Sequence, residues 1–453
     1  MGELFGTDGY RGKFGEKLTA LDAFKIGRFL GWHQKRLNGS AKTVRVVIGK
    51  DTRRSSYALE YALSAGLNSS GADAYLMHVT TTPSVAFVAK TEGFDYGIMI
   101  SASHNPYYDN GIKIISNLGE KVSEELTDLI EDYLLSRGEF CGAELPFSTH
   151  EKVGKTVDYL YGRSKYAGYL LSTVVKPFGG IRVVLDCANG GAYKLARSTF
   201  ESLGAKVTVI NGEPNGFNIN ENCGSTDLSA LKAEVVKLGA DIGFAYDGDA
   251  DRCLCVNAFG EEIDGDKIIY LLARRLQEKG ELLSGKVVAT VMSNLGLKES
   301  LSKIGIGLEV TAVGDRFVYE KMKNSSIEIG GETSGHIIFT KYATTGDGIL
   351  TSLKITEALT TDRDWFYKTL SEIKIYPQVI KNVRVKDKQK IVAEKSVIDA
   401  VKLAQTFLGA CGRIVVRPSG TEPVVRIMAE ASEKCDCFTA IDIVEEEILK
   451  ADG

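Results

Sequence analysis

Three aspartates alternate with small residues after an apolar run in the segment FAYDGDADRC, residues 244–253. The carboxylates of Asp247, Asp249 and Asp251 repel one another unless a cation lies among them, and hard oxygen ligands suit Mg²⁺ or Ca²⁺. An EF-hand loop requires glycine at its sixth position, where this chain has Arg252, and a helix in front of the loop. The pattern therefore predicts a metal site of another kind, at the end of a buried strand.

A second polar segment, GIMISASHNPYYDNGIKII, covers residues 97–115 and also follows an apolar run. A nucleophilic serine needs an accessible position and help with its proton, and His104 and Lys113 could supply that help. Spacing alone does not choose between Ser101 and Ser103. An ordinary turn built on the Asn-Pro pair is the alternative interpretation.

Two further segments carry the side chains that bind sugars and phosphates. In GGETSGHIIF, residues 330–339, glycines allow close approach of a ligand, and glutamate and serine can hydrogen-bond sugar hydroxyls. In VRPSGTEPVVRIM, residues 416–428, two guanidiniums and two hydroxyls suit a phosphate monoester. Plain loops are the alternative for both. The candidate ligand-binding residues are Glu332, Ser334, His336, Arg417, Ser419, Gly420, Thr421 and Arg426.

The elements that must position these segments recur along the chain. Three stretches, starting near Val44, Ile181 and Lys286, read as buried strand, polar turn, helix, glycine and strand. Continuous Val/Ile runs are typical of parallel strands covered by helices on both faces. We therefore predict an α/β fold of three related tandem domains around a cleft, followed by a smaller C-terminal α+β domain. The predicted boundaries are 1–150, 151–256, 257–372 and 373–453.

Composition narrows the function classes. The chain has 453 residues and a formal net charge of −4, which favours neither nucleic acid nor an anionic membrane as partner. Eight cysteines without metal-site spacing indicate reduced thiols. No apolar run reaches the ~20 residues that a membrane span needs, and no signal peptide is recognisable, so we expect a cytoplasmic protein. Motifs of P-loop kinases, zinc proteases and dinucleotide-binding enzymes are absent from the sequence.

Taken in order, the four segments resemble the signature of the α-D-phosphohexomutase superfamily, and the resemblance begins at GTDGYRG, residues 6–12. Within it, SASHNPYYDNGIK and AVGDRFVYEKM are similar to the serine loop and the Val-Gly-Asp-Arg stretch of bacterial phosphoglucosamine mutases. One departure stands out, because Thr333 occupies a position where that family usually carries glutamine.

The resemblance implies residue roles that spacing did not give. It makes Ser103 the phosphorylated residue and, with the three aspartates, part of a Mg²⁺ site. It places Arg11, His104, Lys113 and Arg252 among the catalytic groups, with Lys113 as general base. It assigns Glu332, Ser334 and His336 to the sugar and the segment around Arg417 to the phosphate that is not moving.

The implied reaction interconverts glucosamine 6-phosphate and glucosamine 1-phosphate through a phosphoserine and a 1,6-bisphosphate. The partner is thus a small phosphosugar, and the first phosphate on Ser103 would come from a kinase or a bisphosphate activator. A homodimer is compatible with this scheme. The alternatives are a phosphomannomutase or phosphoglucomutase, a magnesium-dependent phosphatase and a non-catalytic sugar-phosphate binding protein.

Overall fold

The structure is a computed structural model that describes residues 4–6, 8–39, 42–136, 138–409, 412–419 and 423–453. The chain forms two compact units. One comprises Met1–Met292 with Gly307–Lys368, and the other Ser293–Ile306 with Thr369–Gly453. No helix among the described residues combines the length and apolar character needed to cross a lipid bilayer.

The first unit begins with a seven-stranded sheet. Its elements and those next to it are β1 (Phe5–Gly6), β2 (Gly9–Lys13), α1 (Ala20–Asn38), β3 (Arg45–Lys50), α2 (Ser55–Ser70), β4 (Asp73–Val79), α3 (Thr82–Thr91), β5 (Tyr96–Ile100), β6 (Asp109–Ser116), α4 (Glu124–Leu135), β7 (Glu139–Phe140), β8 (Ala143–Glu144), β9 (Thr156–Asp158) and α5 (Tyr161–Ser172). The strand order is β1-β2-β6-β5-β3-β4-β9. β3 runs parallel to β4 and β5, so the segments that follow β3 and β5 meet at one edge of the sheet.

A five-stranded sheet follows in the same unit. Its elements are β10 (Arg182–Asp186), α6 (Leu195–Ser202), β11 (Lys206–Ile210), α7 (Ser229–Leu238), β12 (Ile242–Tyr246), β13 (Cys253–Asn257) and β14 (Glu262–Ile263). The strand order is β11-β10-β12-β13-β14. β10 is parallel to β11 and β12, and β12 pairs antiparallel with β13. The three aspartates therefore lie in the hairpin turn between two fully buried strands.

The third sheet has four strands. Its elements, with the connecting helices, are α8 (Gly265–Glu278), β15 (Lys286–Thr290), α9 (Leu295–Lys303), β16 (Gly307–Thr311), α10 (Asp315–Ser325), β17 (Ile329–Gly331), β18 (Ile337–Phe339) and α11 (Gly348–Thr361). The strand order is β16-β15-β17-β18, with β15 parallel to β16 and β17. The helix α9 belongs to the second compact unit.

The second unit contains an antiparallel sheet in the order β19-β21-β20. The elements of this part of the chain are α12 (Arg363–Glu372), β19 (Gln378–Arg384), α13 (Lys388–Ala393), α14 (Lys395–Leu408), β20 (Arg413–Pro418), β21 (Val424–Glu430) and α15 (Lys434–Asp452). A core of valine, isoleucine and alanine side chains joins the sheet to its helices. Three α/β sheets followed by an α+β domain confirm the predicted fold class.

Candidate active site

Ser103 lies in the serine loop, residues 101–109, between β5 and β6. It is buried, and its φ of 52° places it in the left-handed region, which is unfavourable for a residue with a side chain. The fully buried Arg53, which follows β3, donates to the carbonyls of Ser103 at 2.9 Å, Asn105 at 2.8 Å and Asp109 at 3.0 Å. Arg53 also donates to Asp51 at 2.7 Å. These bonds fix the backbone of the loop and stabilise Ser103 in its strained conformation.

The hydrogen bonds distinguish the two serines that spacing left open. The Ser101 hydroxyl donates to Asp51 Oδ2 at 2.7 Å and accepts from the backbone N–H of Ser103 at 2.9 Å. The Ser103 hydroxyl instead points at the aspartates and donates to Asp247 Oδ2 at 2.5 Å. Ser101 thus supports the loop, whereas Ser103 presents its oxygen to the candidate metal site.

The aspartate loop, residues 247–252, fits a divalent cation. Asp247, Asp249 and Asp251 are buried, and each offers an oxygen within 4.8 Å of the others. Asp249 Oδ1 and Asp251 Oδ1 are buried oxygens without a hydrogen-bond donor among the described residues. Burial, together with the charges of Asp251 and Asp249, raises the pKa of Asp247 well above its usual range. An all-oxygen donor set with two carboxylate oxygens that accept no hydrogen bond from the described residues suits Mg²⁺.

Lys113, on β6, brings a positive charge to the same carboxylates. Its Nζ lies 2.8 Å from Asp249 Oδ2, 3.0 Å from Asp251 Oδ2 and 3.1 Å from Asp8 Oδ2. Burial alone would lower the pKa of Lys113, but these carboxylates outweigh it and hold the pKa well above its usual value. Lys113 is therefore an ammonium group in this structure. Arg11, on β2, pairs with Asp8.

His104 and Arg252 contact the groups of the serine and aspartate loops. His104 Nδ1 is 3.4 Å from Ser103 Oγ. Burial, followed by the charges of Arg252 and Arg11, lowers the pKa of His104 to about 3, so its imidazole is neutral. The backbone N–H of Arg252 donates to Asp247 Oδ1 at 3.2 Å, and its side chain is partly exposed. A neutral imidazole can exchange a proton with the hydroxyl.

The sugar loop, residues 332–336, is the turn between β17 and β18. Glu332 and Ser334 are half-buried, and Glu332 Oε1 accepts from the Gly314 N–H at 3.1 Å. Thr333 turns to α8, where its hydroxyl donates to Asp266 Oδ2 at 3.1 Å. Gly335 has a φ of 88°, and a side chain there would collide with the backbone of β13. The sugar loop is thus fixed beside the strand that follows the aspartate loop.

His336 is buried. Its Nε2 accepts the Gly346 N–H at 3.0 Å, so the ring proton belongs on Nδ1, which lies 3.6 Å from Asp251 Oδ1. In this structure His336 contacts protein groups and supports a candidate metal ligand. Its predicted contact with the sugar stays a prediction.

Several site residues were not predicted from the sequence. Arg53 follows β3 at the sheet edge where the serine loop lies, so strand-end topology could have indicated it. Asp8 lies inside the motif GTDGYRG. Lys121, after β6, contacts Asp8 at 2.8 Å and Asp315, at the start of α10, at 2.6 Å. Nothing in the sequence around Lys121 indicates this bridge.

The second unit holds the predicted phosphate-binding segment. Arg417 on β20 and Arg426 on β21 are directly opposite each other in the register of the sheet. Burial, followed by the charge of Arg426, lowers the pKa of Arg417. Like charges opposed on a sheet are unfavourable, and an anion such as phosphate would relieve them. Ser419 is buried, whereas Gly420 and Thr421 lie outside the described residues.

Comparison with known proteins identifies the family. The sequence matches models of the four phosphoglucomutase/phosphomannomutase domains: the alpha/beta/alpha domains I, II and III at residues 2–139, 164–260 and 264–378, and the C-terminal domain at residues 380–436. A phosphoglucosamine mutase of Lachnospira eligens is 53% identical over 457 residues, with 100% of this chain and 99% of the relative covered.

Solved structures share the fold. A phosphoglucomutase/phosphomannomutase family protein from Burkholderia thailandensis matches with a TM-score of 0.81 at 23% identity, covering 99% of this chain and 97% of that one. The N-acetylphosphoglucosamine mutase of Aspergillus fumigatus, in complex with GlcNAc-6P and magnesium, matches with a TM-score of 0.66 at 18% identity, covering 99% and 96%. With its full-length relatives and its four matched domains, the chain belongs to the phosphoglucosamine mutase family of the phosphoglucomutase/phosphomannomutase superfamily.

Proposed function

We propose that this phosphosugar mutase interconverts glucosamine 6-phosphate and glucosamine 1-phosphate through a phosphoserine at Ser103. Family membership supports the reaction and its sugar. The observation that carries the residue assignment is the 2.5 Å approach of Ser103 Oγ to Asp247 Oδ2, inside a buried group of three carboxylates.

The chemistry consists of two phosphoryl transfers. The phosphoserine P–O bond breaks while the 1-hydroxyl of the sugar forms a new P–O bond and gives up its proton, which yields a 1,6-bisphosphate. The bisphosphate then reorients, the bond between its O6 and phosphorus breaks as Ser103 Oγ takes the 6-phosphoryl group, the Ser103 proton passes to O6, and glucosamine 1-phosphate leaves. Such transfers depend on positioning and charge neutralisation more than on covalent help from the protein.

Asp247, Asp249 and Asp251 would hold Mg²⁺ together with an oxygen on Ser103. When bound, the ion neutralises negative charge on the phosphoryl group in transit. The magnesium complex of the Aspergillus fumigatus enzyme, which has the same fold, supports the choice of metal. Arg252 and Arg11 add positive charge at the same place.

Lys113 and His104 are the candidates for moving the proton of the sugar hydroxyl. Lys113 is an ammonium here, so it is ready to act as general acid, and its predicted role as general base requires that it first lose a proton. His104 is neutral and lies 3.4 Å from Ser103 Oγ, where it can take up or return a proton.

Substrate recognition is divided between two loops. The half-buried Glu332 and Ser334 would bind hydroxyls that the two orientations of the sugar share. Arg417, Arg426 and Ser419, with the segment through Gly420 and Thr421, would hold the phosphate that is not being transferred. The opposed pair of guanidiniums on β20 and β21 supports this assignment.

Two measurements test the proposal. A coupled assay that compares glucosamine, mannose and glucose phosphates should give the highest kcat/KM with glucosamine phosphate. Mass spectrometry should find the phosphate on Ser103, in larger amount after incubation with a hexose 1,6-bisphosphate. Ser103→Ala should abolish turnover, whereas Ser101→Ala should lower turnover and leave Ser103 phosphorylated. Normal turnover by Ser103→Ala, or phosphate on Ser101, would contradict the assignment.

A further inference from the structure

The loop after β11, residues 211–222, contains five asparagines, and the proposed mechanism uses none of them. Asn211, Asn220 and Asn222 all adopt left-handed backbone conformations, with φ of 48°, 58° and 50°. Asparagine tolerates this conformation better than most residues. The backbone therefore accounts for three of the five asparagines, but it does not account for what the side chain of Asn220 does.

That side chain belongs to Asn220 and reaches the serine loop. Its Nδ2 donates to the carbonyl oxygen of Ser103 at 2.9 Å and to that of Asn105 at 3.1 Å. The backbone N–H of Asn220 donates to Ala188 O at 3.0 Å, immediately beyond β10. Asn220 is thus anchored to the second sheet while it holds the backbone of a loop that belongs to the first.

The same two carbonyls are held from the other side by Arg53. Its Nη2 lies 2.9 Å from Ser103 O and 2.8 Å from Asn105 O. Two donors from two different sheets therefore make four hydrogen bonds to two acceptors. The aspartate loop packs against the same hydrogen bond, because a side chain at Gly248 would come within 2.6 Å of Ser103 O and 3.1 Å of Asn220 Nδ2.

These contacts determine where the nucleophile points. Ser103 has a left-handed backbone, which is not the resting preference of a serine, so its peptide group needs outside support to stay in place. Turning the Ser103 carbonyl would move Oγ away from Asp247. It would also bring a partly negative carbonyl oxygen toward the phosphoryl group, which is unfavourable for an anion.

We infer that Asn220 is a positioning residue, through which the second sheet holds the carbonyls of Ser103 and Asn105 and so keeps the phosphoserine aimed at the aspartate loop. The inference rests on the proposed role of Ser103 as phosphoryl carrier. Asn220 acts through the loop, so its loss slows phosphoryl transfer and leaves substrate affinity almost unchanged.

The sharpest variant is Asn220→Asp, with Asn222→Asp as its matched control. Aspartate keeps the shape and the tolerance of positive φ, but it places a carboxylate oxygen against two carbonyl oxygens. Asn222→Asp adds the same charge in the same loop, at an exposed residue with a similar φ. Asn220→Gly removes the donor without adding charge and without backbone strain.

We expect Asn220→Asp to lower kcat about 100-fold, since displacements of about 1 Å have this effect on transfer, with KM changed by less than about twofold. Asn220→Gly should lower kcat about tenfold, and Asn222→Asp should match the wild type. Phosphorus NMR of the phosphorylated protein should show a shifted phosphoserine signal in Asn220→Asp alone. Urea unfolding confirms that each variant is folded.

The outcomes separate this inference from the proposed function. If Ser103→Ala is inactive and Ser103 carries phosphate, but Asn220→Asp and Asn220→Gly turn over like Asn222→Asp, then Asn220 has no positioning role. A rise in KM with unchanged kcat would also overturn the inference, because it would make Asn220 a binding residue. If Ser103→Ala is active, the proposed function itself fails.

Discussion

The serine loop and the sugar loop both follow buried strands, yet the protein holds them in different ways. In the serine loop, side chains from elsewhere bind the backbone: Arg53 donates to the carbonyls of Ser103, Asn105 and Asp109, and Asn220 donates to the first two. In the sugar loop, backbone groups make these bonds, both within the loop and from Cys253 on β13 and Gly265 on α8. The Gly335 N–H donates to Glu332 O at 3.0 Å, and the Glu332 N–H donates to His336 O at 3.1 Å.

The difference matches what each loop has to do. Under the proposed function Ser103 must be held to within a fraction of an ångström. Ser103 is buried, and its carbonyl accepts hydrogen bonds from both Arg53 and Asn220. A recognition loop must leave side chains available for the ligand, so a tight backbone turn presents the half-buried Glu332 and Ser334. The comparison predicts that substitutions of the buried residues that bind the serine loop change activity strongly. In the sugar loop, substitutions of the half-buried side chains should matter most.

The largest effect should come from Arg53→Met. The variant leaves the Asp51 carboxylate buried without its charged partner and removes one of the two side chains that donate to the carbonyls of Ser103 and Asn105. Breaking a buried ion pair on one side costs about 3–5 kcal/mol, so we expect a loss of that size in the free energy of unfolding, together with a large fall in kcat. Urea denaturation and steady-state kinetics measure the two effects.

The neighbouring Arg54 provides the control for Arg53→Met. It is exposed, and its guanidinium lies over the Phe217 ring. Arg54→Met should change the free energy of unfolding by less than about 1 kcal/mol. Equal losses in the two variants would show that the serine loop does not depend on its buried arginine.

The next largest effect should be on the pH dependence of stability, through the carboxyl group of Asp347. Asp347 caps α11 and donates its backbone N–H to Ile337 O, on β18, at 3.2 Å. Burial raises the pKa of Asp347 from 3.8 to about 6. The folded protein therefore keeps a proton that the unfolded chain releases, and stability present below pH 3.8 is lost as the pH rises through 6.

Asp347→Asn should remove this part of the pH dependence. Between pH 4 and pH 7 the wild type should lose about 2 kcal/mol more of its free energy of unfolding than the variant, since one pKa unit is worth about 1.4 kcal/mol. Asp362→Asn, at the exposed cap of α12, should keep the wild-type dependence. Parallel urea-unfolding curves for wild type and Asp347→Asn across this range would refute the prediction.

The sequence predicted the chemical groups better than it predicted their supports. The three aspartates are close in the chain, and their shared charge is a signal in itself. Ser101 and Ser103 could not be separated by spacing, because the choice depends on the hydroxyl of Ser101 being taken by Asp51. In three dimensions that hydrogen bond leaves only Ser103 facing the aspartates.

The supports were missed for a physical reason. Arg53 and Asn220 act on main-chain carbonyls, which every residue possesses, so no pattern of residue types records the contact. Asn220 is also 117 positions from Ser103, the residue it holds. The grouping of α9 with the second unit depends in the same way on long-range packing, which a repeated strand–helix pattern does not show.

A smaller effect should come from Ser334→Ala, at the tip of the sugar loop. Losing one neutral hydrogen bond to the substrate costs about 1 kcal/mol, so KM should rise about fivefold with kcat nearly unchanged. Ser302→Ala, at an exposed position on α9, should leave both constants as they are. A fall in kcat without a change in KM would show that the sugar loop takes part in the transfer itself.

The smallest effect should come from Thr333→Gln, which restores the residue that phosphoglucosamine mutases usually carry. The Thr333 hydroxyl is bonded to Asp266 in the first turn of α8, so its side chain faces the protein and not the tip of the loop. We expect the ratio of kcat/KM between glucosamine and glucose phosphates to change by less than about twofold. A tenfold change in that ratio would show that position 333 selects the sugar. The conformation of the sugar loop would then depend on one supporting side chain, as the conformation of the serine loop does.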